Sequence, residues 1–200
     1  MELPFSQACE NNKNVILNEL KRYIDAPGKL LEMGHGTGQH AIHMAPKLPV
    51  TWYASDLPEN HQYLEMYLRQ YPTENIKSKI PLKAGAAPLH KQLIETFNYI
   101  FTANTLHIMS EEQAYAFCNE VAELMQDNGL LFLYGPFKFG GEFTSKSNAN
   151  FDLSLKSRNS LSGIRDFEEL EDRLNESGLE LAERIDLPAN NQMLVFKLLR

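Results

Sequence analysis

A short apolar run at residues 29–33 enters Gly34-His35-Gly36-Thr37-Gly38 and leaves it on a helical pattern at 39–47, which stops near Pro46 and Pro49. A strand, a glycine turn and a helix in that order put the turn at the carboxyl end of a β-strand. Glycines let the backbone turn this tightly and still approach a ligand at a helix N-terminus. The alternation then continues. A second strand at 50–55 is followed by Asp56, by Pro58 at a first helical position, and by Leu64, Tyr67, Leu68 and Tyr71 at helical spacing. Further strands are predicted at 80–83, 98–103 and 130–134, the last a near-continuous apolar run as expected of a strand buried on both faces. Between the last two, a helix over 110–126 opens with a Ser110/Gln113 capping box and closes at Asn128-Gly129. Ahead of the first strand, 11–24 reads as a helix with Asn11 or Asn12 as N-cap, ended by Pro27-Gly28.

Residues 136–165 break this rhythm with Gly140-Gly141, several serines and one short helical pattern at 147–157, and are predicted to form an insertion. A helix opened by an Asp166/Glu169 capping box and ended at Gly178 comes next, then strands at 179–187 and 193–199 joined by Pro188-Ala189-Asn190-Asn191. Strands linked by helical crossovers imply a parallel, doubly wound α/β sheet, and two final strands joined by so short a link must pair antiparallel.

A chain of 200 residues and 22.8 kDa suits one domain with an elaboration, and area scaling predicts a folded surface of roughly 9,500 Å². Residues 166–186 carry nine acids against Arg173 and Arg184, which accounts for the whole net charge of −7. No Lys/Arg stripe suited to displacing counterions is visible, so nucleic acid is not an expected partner. Cys9 and Cys118 cannot build a disulfide framework, and no apolar stretch approaches the length of a membrane span, so a soluble, cytoplasmic protein is expected.

Glu32 stands two residues before Gly34, and Gly34, Gly36 and Gly38 are spaced G-x-G-x-G. A dinucleotide fingerprint wants its third glycine at position 39, where this chain has Gln39, which disfavours an NAD(P)-dependent oxidoreductase. The acid-x-G-x-G-x-G form, with Asp56 ending the second strand, resembles instead the class I S-adenosylmethionine (SAM) methyltransferases. The segments ENNK (10–13), GTGQH (36–40), SD (55–56), ANTLHI (103–108), LYGPF (133–137), SNANFD (147–152), GIRD (163–166) and LPANN (187–191) make the chain similar to the methyltransferase-like 26 family over essentially its whole length. The resemblance implies a Rossmann-like, mostly parallel seven-stranded sheet with an antiparallel last strand. It also implies SAM as cofactor, gripped by the loop with Glu32, Gly34, Gly36 and Gly38, with the ribose on Asp56 beside Leu57. Two positions depart from the family pattern: Gly85 stands where an acid would face the adenine, leaving that role to backbone amides around Ala86, and Ser162 stands where a tryptophan is expected.

Methyl transfer from a sulfonium is an in-line displacement in which positioning supplies much of the catalysis. His107, just past the fourth strand at the ligand-bearing edge of the sheet, is the candidate general base, against an ordinary loop histidine. Tyr134 would line the acceptor site, against a core role, and Asn104 would touch cofactor or substrate, against capping the turn. Lys13 would pair with the SAM carboxylate, against an exposed helix lysine, and His40 would pack beside the cofactor. His35, His40 and His43 have no carboxylate at ligand spacing, so no metal site is expected. The function expected is methylation of a small molecule under a lid formed by 136–165. The alternatives are a catalytically silent SAM-binding module acting through a partner and, less favoured, the oxidoreductase.

Overall fold

A computed structural model of the chain describes residues 2–200. Its elements in chain order are α1 (Gln7–Tyr23), β1 (Gly28–Met33), α2 (Gln39–Met44), β2 (Val50–Asp56), α3 (His61–Gln70), β3 (Ile76–Pro81), α4 (Leu89–Gln92), β4 (Phe97–Ala103), α5 (Glu111–Glu120), β5 (Met125–Gly135), β6 (Lys138–Phe139), β7 (Glu142–Phe143), α6 (Lys146–Arg158), α7 (Phe167–Glu176), β8 (Leu179–Leu187) and β9 (Asn191–Leu198). Seven strands form one sheet in the order β3-β2-β1-β4-β5-β9-β8, and β6 pairs with β7 as a small hairpin. The first five strands run parallel, while β9 pairs antiparallel with both β5 and β8. The expected α/β architecture with its antiparallel ending is therefore the observed one.

The sheet is covered on both faces. One face buries Ile16 and Leu20 of α1, Met44 of α2 and Leu64 of α3 against Leu30, Phe101, Phe132 and Val195. The other buries Leu89 of α4, Phe117 of α5 and Leu170 and Leu174 of α7 against Leu31, Ile100, Leu131 and Phe196. Each such side chain stabilises the fold by roughly 1.5–3 kcal/mol through burial. The accessible surface is 9616 Å², close to the scaling expectation. No helix among the described residues is long and apolar enough to cross a membrane.

Several boundaries differ from the sequence reading. The N-cap of α1 is Ser6, whose side chain accepts from the Cys9 N–H, so Asn12 lies inside the helix and is buried. β3 begins at Ile76 rather than residue 80, because its outer edge faces solvent and Lys77 and Lys79 interrupt the apolar pattern. α5 ends at Glu120 and a 3-10 turn leads into β5 at Met125; Met125 keeps its place in the core from a strand rather than from a further helical turn. The Ser110/Gln113 capping box forms. The Asp166/Glu169 box does not, because Asp166 Oδ2 accepts from the Gly141 N–H of the β6–β7 turn.

The chain leaves β1 outward to β2 and β3, then returns to β4 on the other side of β1. Such a reversal opens a crevice at the carboxyl ends of the strands. Residues 136–165 cross this same edge. They are fastened on one side by the Gly163 N–H to His107 O (2.9 Å) and Ser162 Oγ to Ile108 O (3.0 Å), and on the other by Asn148 Nδ2 to Asn190 O (3.0 Å).

Candidate functional site

The turn after β1 is held from two directions. The N–H groups of Gly34 and His35 both donate to Ser55 O at the end of β2 (2.9 and 3.1 Å), and Gln39 Oε1 accepts from the Ser6 N–H and from Thr37 Oγ1. Position 39, glycine in a dinucleotide turn, is here a tether between α1 and the loop. Gly34, Gly36 and Gly38 all have positive φ, at 79°, 53° and 85°. A Cβ on Gly34 would lie 2.7 Å from Thr105 and one on Gly38 would lie 2.9 Å from Leu64, so the fold itself demands glycine at both. A Cβ on Gly36 would meet nothing within 4 Å.

Asp56 closes this corner. Its Oδ2 accepts from the Gly36 N–H (2.7 Å), and its Oδ1 accepts from the Leu57 N–H and from Asn60 Nδ2 (each 2.7 Å). Four of the predicted cofactor residues, Gly34, Gly36, Asp56 and Leu57, line one cavity of about 210 Å³ together with Leu82 and Ala84. Its residues suit SAM: a carboxylate at the end of β2 for ribose hydroxyls, apolar walls for the adenine, and open space over Gly36 where the amino-acid end would pass.

A second cavity, of about 510 Å³, lies beside it at the ends of β4 and β5 and takes in Asn104, His107 and Tyr134. Asn104 has φ 58°, a left-handed conformation that asparagine tolerates, and its N–H donates to Tyr134 O (2.8 Å). A Cβ placed on Gly135 would sit 3.6 Å from Asn104 Oδ1 and 3.8 Å from His107 Nδ1, so both polar atoms converge on one spot kept open by a glycine. Burial and the Arg165 guanidinium push His107 down to about 4, leaving a neutral imidazole at pH 7. Phe151 from the 136–165 segment packs edge-on against that ring at 5.2 Å. The Tyr134 phenol is held above its ordinary range by burial.

The other predicted cofactor residues stand outside the first cavity. Lys13 pairs with Glu10 and lines an outer groove between α1 and α2, not the first cavity. Glu32 is buried and accepts from Trp52 Nε1 (2.8 Å), and burial raises it to about 8. His40, pushed down to about 4 by burial, bonds through Nε2 to Asn12 Oδ1 (2.7 Å) behind the loop. Ala86 is exposed and its N–H turns back to Lys83 O, because β3 ends earlier than expected and brings 82–84 to the cavity instead. Gly38 turns the chain, and Asn104 belongs to the second cavity.

Sequence reading missed Asn12 as a site residue. It lines the second cavity while bonded to His40, 28 residues away, a partner that the local sequence pattern does not reveal.

Strand order, glycine turn and the acid ending β2 together give the Rossmann-like fold of the class I SAM-dependent methyltransferases. The chain belongs to the family described as protein of unknown function, DUF938, which it matches over residues 3–198. Among solved structures, an O-methyltransferase family protein from Burkholderia thailandensis shares the fold at a TM-score of 0.82 and 13% identity, over 96% of this chain and 57% of that one. An O-methyltransferase family 2 protein from Planctomyces limnophilus, solved with apigenin, gives 0.72 and 16% over 95% and 59%. PigF, solved with SAH, gives 0.72 and 16% over 91% and 54%. The chain spans a little over half the length of these three structures, and at such identities the likeness is one of fold.

Proposed function

We propose that this chain is a SAM-dependent methyltransferase acting on a small-molecule acceptor, as one domain over 1–200 in which 136–165 serves as lid, and that it is related to the methyltransferase-like 26 proteins. The observation that carries the reading is the Asp56 carboxylate bonded to the Gly36 N–H across a cavity whose neighbour holds His107, Asn104 and Tyr134. Bound in the first cavity, SAM would supply a methyl group on a positively charged sulfur.

The chain's own residues would do the rest. Asp56 orients the ribose through its remaining lone pairs. Asn104 and Tyr134 position the acceptor at the shared edge, and Phe151 excludes water from it. His107, neutral at pH 7, accepts the acceptor's proton at a ring nitrogen and passes it to solvent, acting as a weak base. The O-methyltransferase family proteins among the structural neighbours, one solved with apigenin, and PigF, solved with SAH, support the cofactor and the substrate class. The acid-rich segment and the lack of a basic stripe favour a small acceptor over nucleic acid.

Binding without turnover has one observation in its favour: Gly85, at φ 72°, occupies the turn where an acid would meet the adenine. Isothermal titration with SAM and NADH, followed by methyl turnover on a metabolite pool, tests both readings. SAM binding with turnover is expected; binding of NADH alone would overturn the methyltransferase reading.

A further inference from the structure

Among the described residues, no aspartate, glutamate, lysine or arginine lines the second cavity. Its polar wall is chiefly amides, Asn11, Asn12, Asn104, Asn148, Asn190 and Asn191, gathered from four stretches of chain, with the hydroxyls of two serines beside them. Phe151, Pro136 and Pro188 give it an apolar side. The first cavity is different, with Asp56 and Lys83 in its lining. Those side chains of the second cavity that can ionise are all held neutral: Cys9 and Tyr134 are shifted up and His107 down, each chiefly by burial. The nearest cation acting on His107, Arg165, is turned onto the carbonyls of Gly163 (2.8 Å) and Leu161 (3.2 Å).

A charged group entering such a site loses its hydration and finds no charged side chain to pair with. An uncharged polar group exchanges hydrogen bonds to water for hydrogen bonds to amides at little net loss. Amides offer donors and acceptors together, so they suit hydroxyl, carbonyl or amide groups alike. Resting on the methyltransferase reading above, we propose that the methyl acceptor is an uncharged small molecule with several hydrogen-bonding groups and one apolar face. The asparagines of the second cavity hold it with its reacting atom against His107 and Asn104.

The test separates a cell-extract metabolite pool before reaction. Strong cation and anion exchangers in series retain cations, anions and zwitterions and pass the uncharged compounds. Each fraction is incubated with the full chain and SAM labelled in its methyl group, with SAM binding measured separately by calorimetry. Label is expected in the uncharged fraction at about tenfold or more over any retained fraction. Label chiefly in a retained fraction, or in none while SAM binds, overturns the proposal and leaves the cofactor assignment standing. Failure of SAM to bind removes the methyltransferase reading and the proposal with it. An Asn11→Lys variant at the exposed rim adds a cation to the mouth and should shift label towards the anionic fraction; an unchanged distribution counts against a charge-excluding cavity.

Discussion

The two cavities lie side by side on one sheet edge and are built in opposite ways. The first has a backbone construction at its centre: three glycines with positive φ and amides aimed at a carboxylate, with the glycine turn and Asp56 lying within about two βα units of the sequence. The second is a side-chain construction, assembled from α1, the turn after β4, the 136–165 segment and the turn before β9. On the function proposed above, the first is fixed by local geometry, whereas the second is free to change with the acceptor. That division of labour is what functional sites grafted onto a common fold lead one to expect.

Variants that act on one cavity alone sharpen this contrast. His107→Ala should lower turnover by roughly 10²–10⁴-fold, towards the lower figure because so weak a base contributes less, while SAM affinity by calorimetry stays unchanged. If SAM affinity collapses and turnover per bound SAM survives, His107 belongs to the cofactor side and the division fails.

Within the first cavity the glycines themselves separate fold from ligand. Gly38→Ala combines a left-handed backbone with a clash against Leu64 and should cost about 2–5 kcal/mol in thermal unfolding. Gly36→Ala meets no protein atom within 4 Å, so only about 1–2 kcal/mol of backbone strain is expected, together with weaker SAM binding. Equal losses of stability at both positions would mean that Gly36 serves the fold alone. Asp56→Ala should weaken SAM binding by about 1.5–3 kcal/mol through lost charge-assisted hydrogen bonds, and undiminished affinity would remove the ribose assignment.

The smallest effect concerns the protein between the cavities. Burial raises Glu32 from 4.5 to about 8 and lowers His40 and His107 from 6.5 to about 4. A raised acid contributes stability that is fully present below pH 4.5 and is lost as the pH climbs through about 8. The depressed histidines contribute stability present above pH 6.5 and lost as the pH falls through about 4. Two histidines outweigh one acid on the acidic side, so stability should peak near pH 6.5 and decline above it by about 1.4 kcal/mol per pH unit. Denaturant unfolding of Glu32→Gln should show the alkaline decline flattened; the same decline as in the parent chain would exclude Glu32 as its source.

The first cavity was legible in the sequence because its signals are local. Strand, glycine spacing and Asp56 together specify a turn and its acid without reference to the rest of the chain. Lys13, Glu32 and His40 do not line the first cavity, for a physical reason: sequence proximity to the loop does not say which way a side chain points. In the fold they turn to Glu10, Trp52 and Asn12 respectively. The second cavity was legible only in part. His107, Tyr134 and Asn104, singled out from strand ends, do line it, but Asn12 read as a cap because asparagine favours helix starts. Nothing in its local pattern reports that His40, 28 residues away, would draw it inward.

The outermost strands carry one more consequence. The pairing of β3 with β2 is irregular between Lys77 and Ile80, Lys79 has φ 60°, and Pro81 has no N–H to donate. At the opposite margin, the pairing of β8 with β9 is irregular between Leu181 and Glu183, on a strand bearing Glu180, Glu183 and Asp186. One margin is thus distorted and basic and the other distorted and acidic. A foreign strand seeking to extend the ladder meets a broken template and fixed charge on either side, the features by which natural sheets resist edge-to-edge polymerisation.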